Sequence, residues 1–190
     1  METDRFEALI DAILAIIITI LVLELPFAST GTWDALYELR YDFLLYAMSF
    51  IVCFDFWNYN NNLFSIVNKI DSKVVWSMGI TLFVFSFLPY ITLFVGEHFF
   101  LFFPQFVYGL YFITIVILLI INSKLLKKTD PANIALYIIL NKQYSLYGTI
   151  PLILIGIFIG YFIYPPAITV CCFISLFGVW IIPKIQYHLK

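Results

Sequence analysis

Residues 5–26 read RFEALIDAILAIIITILVLELP, an apolar run of membrane-spanning length that keeps an aspartate, Asp11, and a threonine, Thr19, among its isoleucines. An ionisable group in a hydrophobic helix is costly, so Asp11 must meet water or a polar partner inside a protein bundle. This first helix is therefore the place to look for function. The run is too long for the apolar part of a cleavable signal, and it continues into Glu24, Leu25 and Pro26 instead of a small-residue cleavage site. The sequence predicts that this span is retained.

The rest of the chain is built the same way. Of its 190 residues, 63% are hydrophobic and 12% charged, too little charge to cover a soluble globule. A bilayer core takes about 20 helical residues to cross. Runs of that kind lie near 6–25, 37–58, 74–95, 100–122, 144–164 and 167–187, which predicts one all-α bundle of six spans with no separate soluble domain. Alternating the loops puts Arg5, Lys69, Lys73, Lys124, Lys127, Lys128, Lys142, Lys184 and Lys190 on one side and only Arg40 on the other. The positive-inside bias then places both termini in the cytoplasm. The outer side carries Glu24, Asp34, Glu38 and Glu97, either an anionic rim that concentrates cations or plain loop solvation.

Other chemistry is sparsely represented. Cys53, Cys171 and Cys172 fall in spans without CxxC spacing and read as packing residues, and His98 and His188 lie in a loop and at the C-terminal end. This predicts neither a zinc site nor a histidine-ligated metal or haem. No phosphate-binding loop is apparent. Trp33, Tyr37, Trp76 and Tyr164 suit interfacial anchoring. In the long connection 123–143, Thr129 or Asp130 followed by Pro131 predicts a short helix over 132–140, lying at the interface or running into the fifth span.

On the first helix, Ile16, Thr19, Ile20 and Leu23 form one stripe, open to three readings: lipid-facing, core-packed or lining a narrow pore. Ala8, Asp11, Ala12 and Ala15 form a second stripe whose small side chains allow a neighbouring helix close approach. The Thr19 hydroxyl is expected to bond the Ala15 carbonyl one turn back. Arg5 and Asp11 are about 240° apart around the helix and need other partners. Candidates are gathered at the cytoplasmic end of the second span, F56 W57 N58 Y59 N60 N61 N62, where the Trp57 indole and the amides of Asn58, Asn60, Asn61 and Asn62 offer partners for a polar bracket between the two helices.

At this point the sequence resembles the transmembrane protein 175 type of potassium channels, found in bacteria and, with the unit duplicated, in lysosomal membranes. The family's first helix typically reads R-x-x-x-F-S-D-G-x-x-A-I-x-x-T-x-L-V-L-E, and residues 5–24 here keep the arginine, the aspartate, an Ala-Ile pair, the threonine and the L-V-L-E ending. Leu9-Ile10 and Ala12 depart from its Phe-Ser and Gly, which weakens the bracket and leaves the stripe untouched. In the second helix, S49 F50 and F56 W57 N58 Y59 N60 N61 N62 L63 F64 are similar to S-F and Y-W-x-x-H-H-x-x-F, with asparagines for the histidine pair. The third span, L82 to G96, resembles the ending F-x-P-[FY]-x-T-x-x-x-G. The three motifs cover about the first half of the chain, and the second half agrees only in hydropathy.

The resemblance implies a homotetramer in the cell membrane of a bacterium, surrounded by lipid, with a central pore lined by the first helix. Ile16 matches the main hydrophobic constriction, Ile20 and Leu23 match further apolar layers, and Thr19 matches a hydroxyl layer linked with potassium preference. K+ would be the permeant ion, with no catalytic residue, cofactor or nucleic-acid partner. V107 Y108 G109 L110 is not a version of the T-V-G-Y-G filter. The rival is a proton- or cation-coupled secondary transporter that uses Asp11, which would favour inverted repeats and helices broken in mid-membrane.

Overall fold

In the computed structural model the chain is described over residues 3–67, 70–141 and 144–188. Among these residues nine α-helices follow one another and no strand occurs: α1 (Thr3–Leu23), α2 (Trp33–Glu38), α3 (Arg40–Phe64), α4 (Ser72–Phe85), α5 (Leu88–Glu97), α6 (Phe102–Thr129), α7 (Ile134–Asn141), α8 (Tyr144–Phe162) and α9 (Ala167–His188). The protein is an integral membrane protein. By length and apolar composition Arg5–Leu23, Ser72–Glu97 and Phe102–Thr129 each suffice to cross a bilayer, and Leu146–Phe162 and Ala167–Leu176 are shorter apolar helices. At 25 residues α3 is long enough, but Asp42, Asp55, Asn58 and Asn60–Asn62 make it the most polar of the long helices.

The long helices run up and down. Phe6 at the start of α1 meets Phe64 at the end of α3 edge-on at 6.0 Å, and the Asn133 amide after α6 donates to the Ile66 carbonyl at 2.7 Å. At the opposite end Tyr41 stacks on Phe99 at 4.4 Å, and Phe102 meets Tyr161 at 5.3 Å. Arg5, Lys73, Lys124, Lys127 and Lys128 thus share the first end, as the alternation of loops requires, while Lys69, Lys142 and Lys190 lie outside the described residues. At the second end Arg40 sits over the rings of Tyr37 and Tyr41, 4.6 and 4.4 Å from their centres.

Two expectations gain local detail. The predicted third span falls within Ser72–Glu97, which is interrupted near its middle: α4 ends at Phe85 and α5 begins at Leu88, with Pro89 in its first turn. Proline has no amide hydrogen and its ring clashes with the carbonyl four residues back, here Phe85, which accounts for the interruption just before it. The connection helix starts at Ile134, not 132, because Asn133 is its N-cap: the Asn133 side chain accepts from the Leu136 amide at 3.0 Å. Thr129 instead ends α6, and its hydroxyl bonds the Leu125 carbonyl at 3.0 Å.

Packing is closest where side chains are smallest. A Cβ at Gly156 would come within 2.8 Å of the Cys171 Cβ, and one at Gly160 within 2.8 Å of Ile168, so α8 and α9 approach almost backbone to backbone. Cys53 and Cys172 are fully buried, and all three cysteines are free thiols used as packing groups. Between α4 and α6 the buried polar groups close on themselves. Ser77 donates to the Asn122 carbonyl oxygen at 2.5 Å, Asn122 donates to Thr81 at 2.8 Å, and Thr81 donates to the Ser77 backbone carbonyl at 2.9 Å. Each donor finds an acceptor, which is the condition for keeping such groups in an apolar bundle.

Candidate functional site

The two sides of α1 have opposite surroundings. Phe6, Ile10, Leu14, Ile17 and Leu21 are buried and fall within an arc of about 80° that packs chiefly against α3. Centred about 130° away are Ile16, Thr19, Ile20 and Leu23, all uncovered within the chain, with Ile16 58%, Ile20 38% and Leu23 78% exposed. The core-packed reading of this stripe is therefore excluded for a single chain. Ala8, Asp11, Ala12 and Ala15 are uncovered beside it, so among the described residues no helix of the same chain makes the close approach that their small side chains permit.

Thr19 is held differently from expectation. Its hydroxyl donates to the Ile16 carbonyl, three residues back, at 2.7 Å, and not to that of Ala15. The single proton is committed there, so the outward-facing oxygen offers its lone pairs to whatever occupies the open side. One turn further, the exposed Glu24 lines a small depression at the helix end together with Leu21, Asp42, Tyr46, Pro89 and Thr92.

The predicted polar bracket is not assembled within one chain. Arg5 and Asp11 are exposed, and among the described residues neither forms a hydrogen bond or ion pair with Trp57, Asn60 or Asn61. Asn60 is buried but turns its amide nitrogen back to the Phe56 carbonyl at 2.7 Å, while its Oδ1 is buried with no hydrogen-bond partner among the described residues. Asn61 is exposed, and Trp57 is half-buried against Phe54 at 5.6 Å. At this depth Phe6 against Phe64 joins the two helices.

Other motif residues have structural work that sequence reasoning missed. Thr92 donates to the Leu88 carbonyl at 2.7 Å, so the 2.7 Å contact between Ser49 and Thr92 is a bond that Ser49 donates, tying α3 to α5. Both hydroxyls are buried. A Cβ at Gly96 would collide with the Asp42 carboxylate, so this glycine lets the start of α3 close on α5. The signal was present, since a serine, a threonine and a glycine recurred at fixed places in apolar spans, but only three-dimensional pairing shows their use. Val107–Leu110 lies inside α6, with Tyr108 fully buried and Gly109 beneath Ile153, Ile157 and Ile168.

These features define an all-helical integral membrane protein whose first helix is packed on one side and open on the other. The family model of the endosomal/lysosomal potassium channel TMEM175 matches residues 5–89, the part that holds α1, α3 and the proline break. A potassium channel of Chryseobacterium sp. (strain P1-3) is 31% identical over 192 residues, covering 100% of this chain and 99% of that protein. A potassium channel of Chamaesiphon minutus (strain ATCC 27169 / PCC 6605) is 30% identical over 103 residues, 51% of each chain. The chain belongs to the TMEM175 family of potassium channels. Its fold is similar to the crystal structure of a lysosomal potassium-selective channel TMEM175 homolog from Chamaesiphon minutus, with a TM-score of 0.69 and 22% identity over 94% of this chain and 97% of that one. The likeness extends to α6–α9, where the sequence motifs had run out.

Proposed function

We propose that four copies of this chain assemble around their α1 helices and conduct K+ passively through a central pore, with six membrane crossings per subunit and both termini in the cytoplasm of a bacterial cell. The observation that carries this reading is the open side of α1, where Ile16, Thr19, Ile20 and Leu23 are uncovered while the opposite side is buried in the chain's own core. One helix cannot enclose a pore, so cyclic repetition must supply the rest of the wall. The adjoining stripe of Ala8, Ala12 and Ala15 is small enough for the neighbouring subunit to approach, and the name of the Chryseobacterium relative, matched over nearly its whole length, supports K+ as the permeant ion.

In this arrangement Ile16 forms the narrow apolar ring, and conduction is gated by wetting and drying of that ring. Ile20 and Leu23 extend the apolar lining, and Glu24 stands at the outer mouth, where its charge raises the local cation concentration. The Thr19 ring presents hydroxyl oxygens that replace part of an ion's hydration shell, so selectivity arises from pore width and this ring and needs no separate carbonyl filter. No chemical step occurs and no cofactor is required. The test is passive flux through purified protein in liposomes under K+ or Na+ gradients. Fast flux that favours K+ is expected, whereas slow, saturable flux that requires a proton gradient would establish the transporter built on Asp11.

A further inference from the structure

We infer that α7 and the last turns of α6 form a binding surface for an anionic phospholipid headgroup. The two elements combine in a way that the pore does not require. At 1.5 Å per residue a bilayer core of about 30 Å is crossed in about 20 residues, so α6, with 28, carries Lys124, Lys127 and Lys128 beyond the hydrocarbon to headgroup level. There Asn133 fixes α7 through its bonds to the Ile66 carbonyl and the Leu136 amide, and α7 buries Leu136 and Leu140. The other side of this short helix is apolar and uncovered, with Ile134 75%, Tyr137 56% and Ile138 50% exposed.

Uncovered aliphatic groups at that depth suit acyl chains, and the lysines beside them supply the matching charge for the headgroup. Lys124 and Lys128 are exposed, and the Lys127 ammonium stands 5.3 Å from the centre of the Tyr137 ring, linking the basic and the apolar parts. The nearest acid in sequence, Asp130, accepts from the Asn133 amide at 3.2 Å, and Lys124 and Lys128 reach the surface beside it. Charge and apolar surface together are the pattern of an interfacial helix that recognises acidic lipid, each lysine adding about fivefold in binding.

The inference rests on the membrane-spanning reading but not on conduction, and it is tested without measuring flux. Native mass spectrometry of the detergent-purified protein would count retained phosphatidylglycerol against phosphatidylcholine, in wild type and in Lys124→Gln/Lys128→Gln. Wild type is expected to retain phosphatidylglycerol preferentially, and the double variant, altered only at exposed positions, to lose at least fivefold of that preference. Equal retention of the two lipids, or a preference unchanged in the variant, would overturn the inference. So would displacement by soluble glycerol phosphate at equal concentration, which would mark a free-phosphate site, or dissociation of the oligomer in the variant, which would mark a contact between subunits. A variant that lost lipid preference but kept its flux would leave the channel reading intact.

Discussion

Thr92 shows what a single hydroxyl contributes to this bundle. Replacing it with Val keeps the volume but leaves the buried Ser49 proton without its acceptor, which costs about 1–2 kcal/mol. Thermal unfolding in detergent should register that loss, with ion preference unchanged; a Thr92→Val protein as stable as wild type would show the bond to be dispensable. Thr19 is the converse case. It is exposed and bonds only within its own helix, so Thr19→Val should barely affect stability but lower K+ preference over Na+ in liposome flux. The sequence marks both threonines as polar groups in apolar helices and does not distinguish them, because the distinction lies in what faces each one. The same holds for Asn60, legible as a polar residue at the end of a span, whose actual partner, the carbonyl of its own helix, no spacing rule selects.

The helices themselves were largely legible, since hydropathy runs and Pro89 are local properties. α1 and the start of α9 fall close to their predicted limits, α6 runs seven residues beyond its predicted end, and α3 runs six residues beyond its own, through the polar stretch from Tyr59 to Phe64. The split of the third span at 86–87 follows from Pro89, whereas the capping of α7 by Asn133 required the competition between neighbouring caps to be resolved by packing. How tightly helices approach was less legible still. Gly156 has no conformational peculiarity, yet a methyl there would meet Cys171 at 2.8 Å. Gly156→Ala should therefore destabilise the α8–α9 pair by about 1–3 kcal/mol. Adding Cys171→Gly should restore part of that loss in a double-mutant cycle, and strict additivity of the two changes would contradict the close approach.

For the whole molecule, the decisive property is an incomplete surface. A side of α1 that combines Ala8, Asp11, Ala12 and Ala15 with Ile16, Thr19, Ile20 and Leu23 has no cover among the described residues, and the proposed assembly would cover it with another copy. Composition alone identified the membrane, and the motifs identified the family; the proposed assembly rests on that resemblance and on the uncovered side of α1, because a stripe of isoleucines is equally suited to lipid. Asp11 lies on the uncovered side of α1 that the proposed assembly would turn to a neighbouring subunit, so Asp11→Ala should reduce the yield of tetramer on size-exclusion chromatography, while intact tetramers with altered pH-dependent transport would place Asp11 in a coupled transport cycle. The most direct measurement is K+ flux through purified channels carrying Ile16→Asn. A polar ring at the proposed constriction would ease wetting, so flux several-fold above wild type is expected, with the same oligomeric state. Flux unchanged by the substitution would place Ile16 against lipid and remove α1 from the pore.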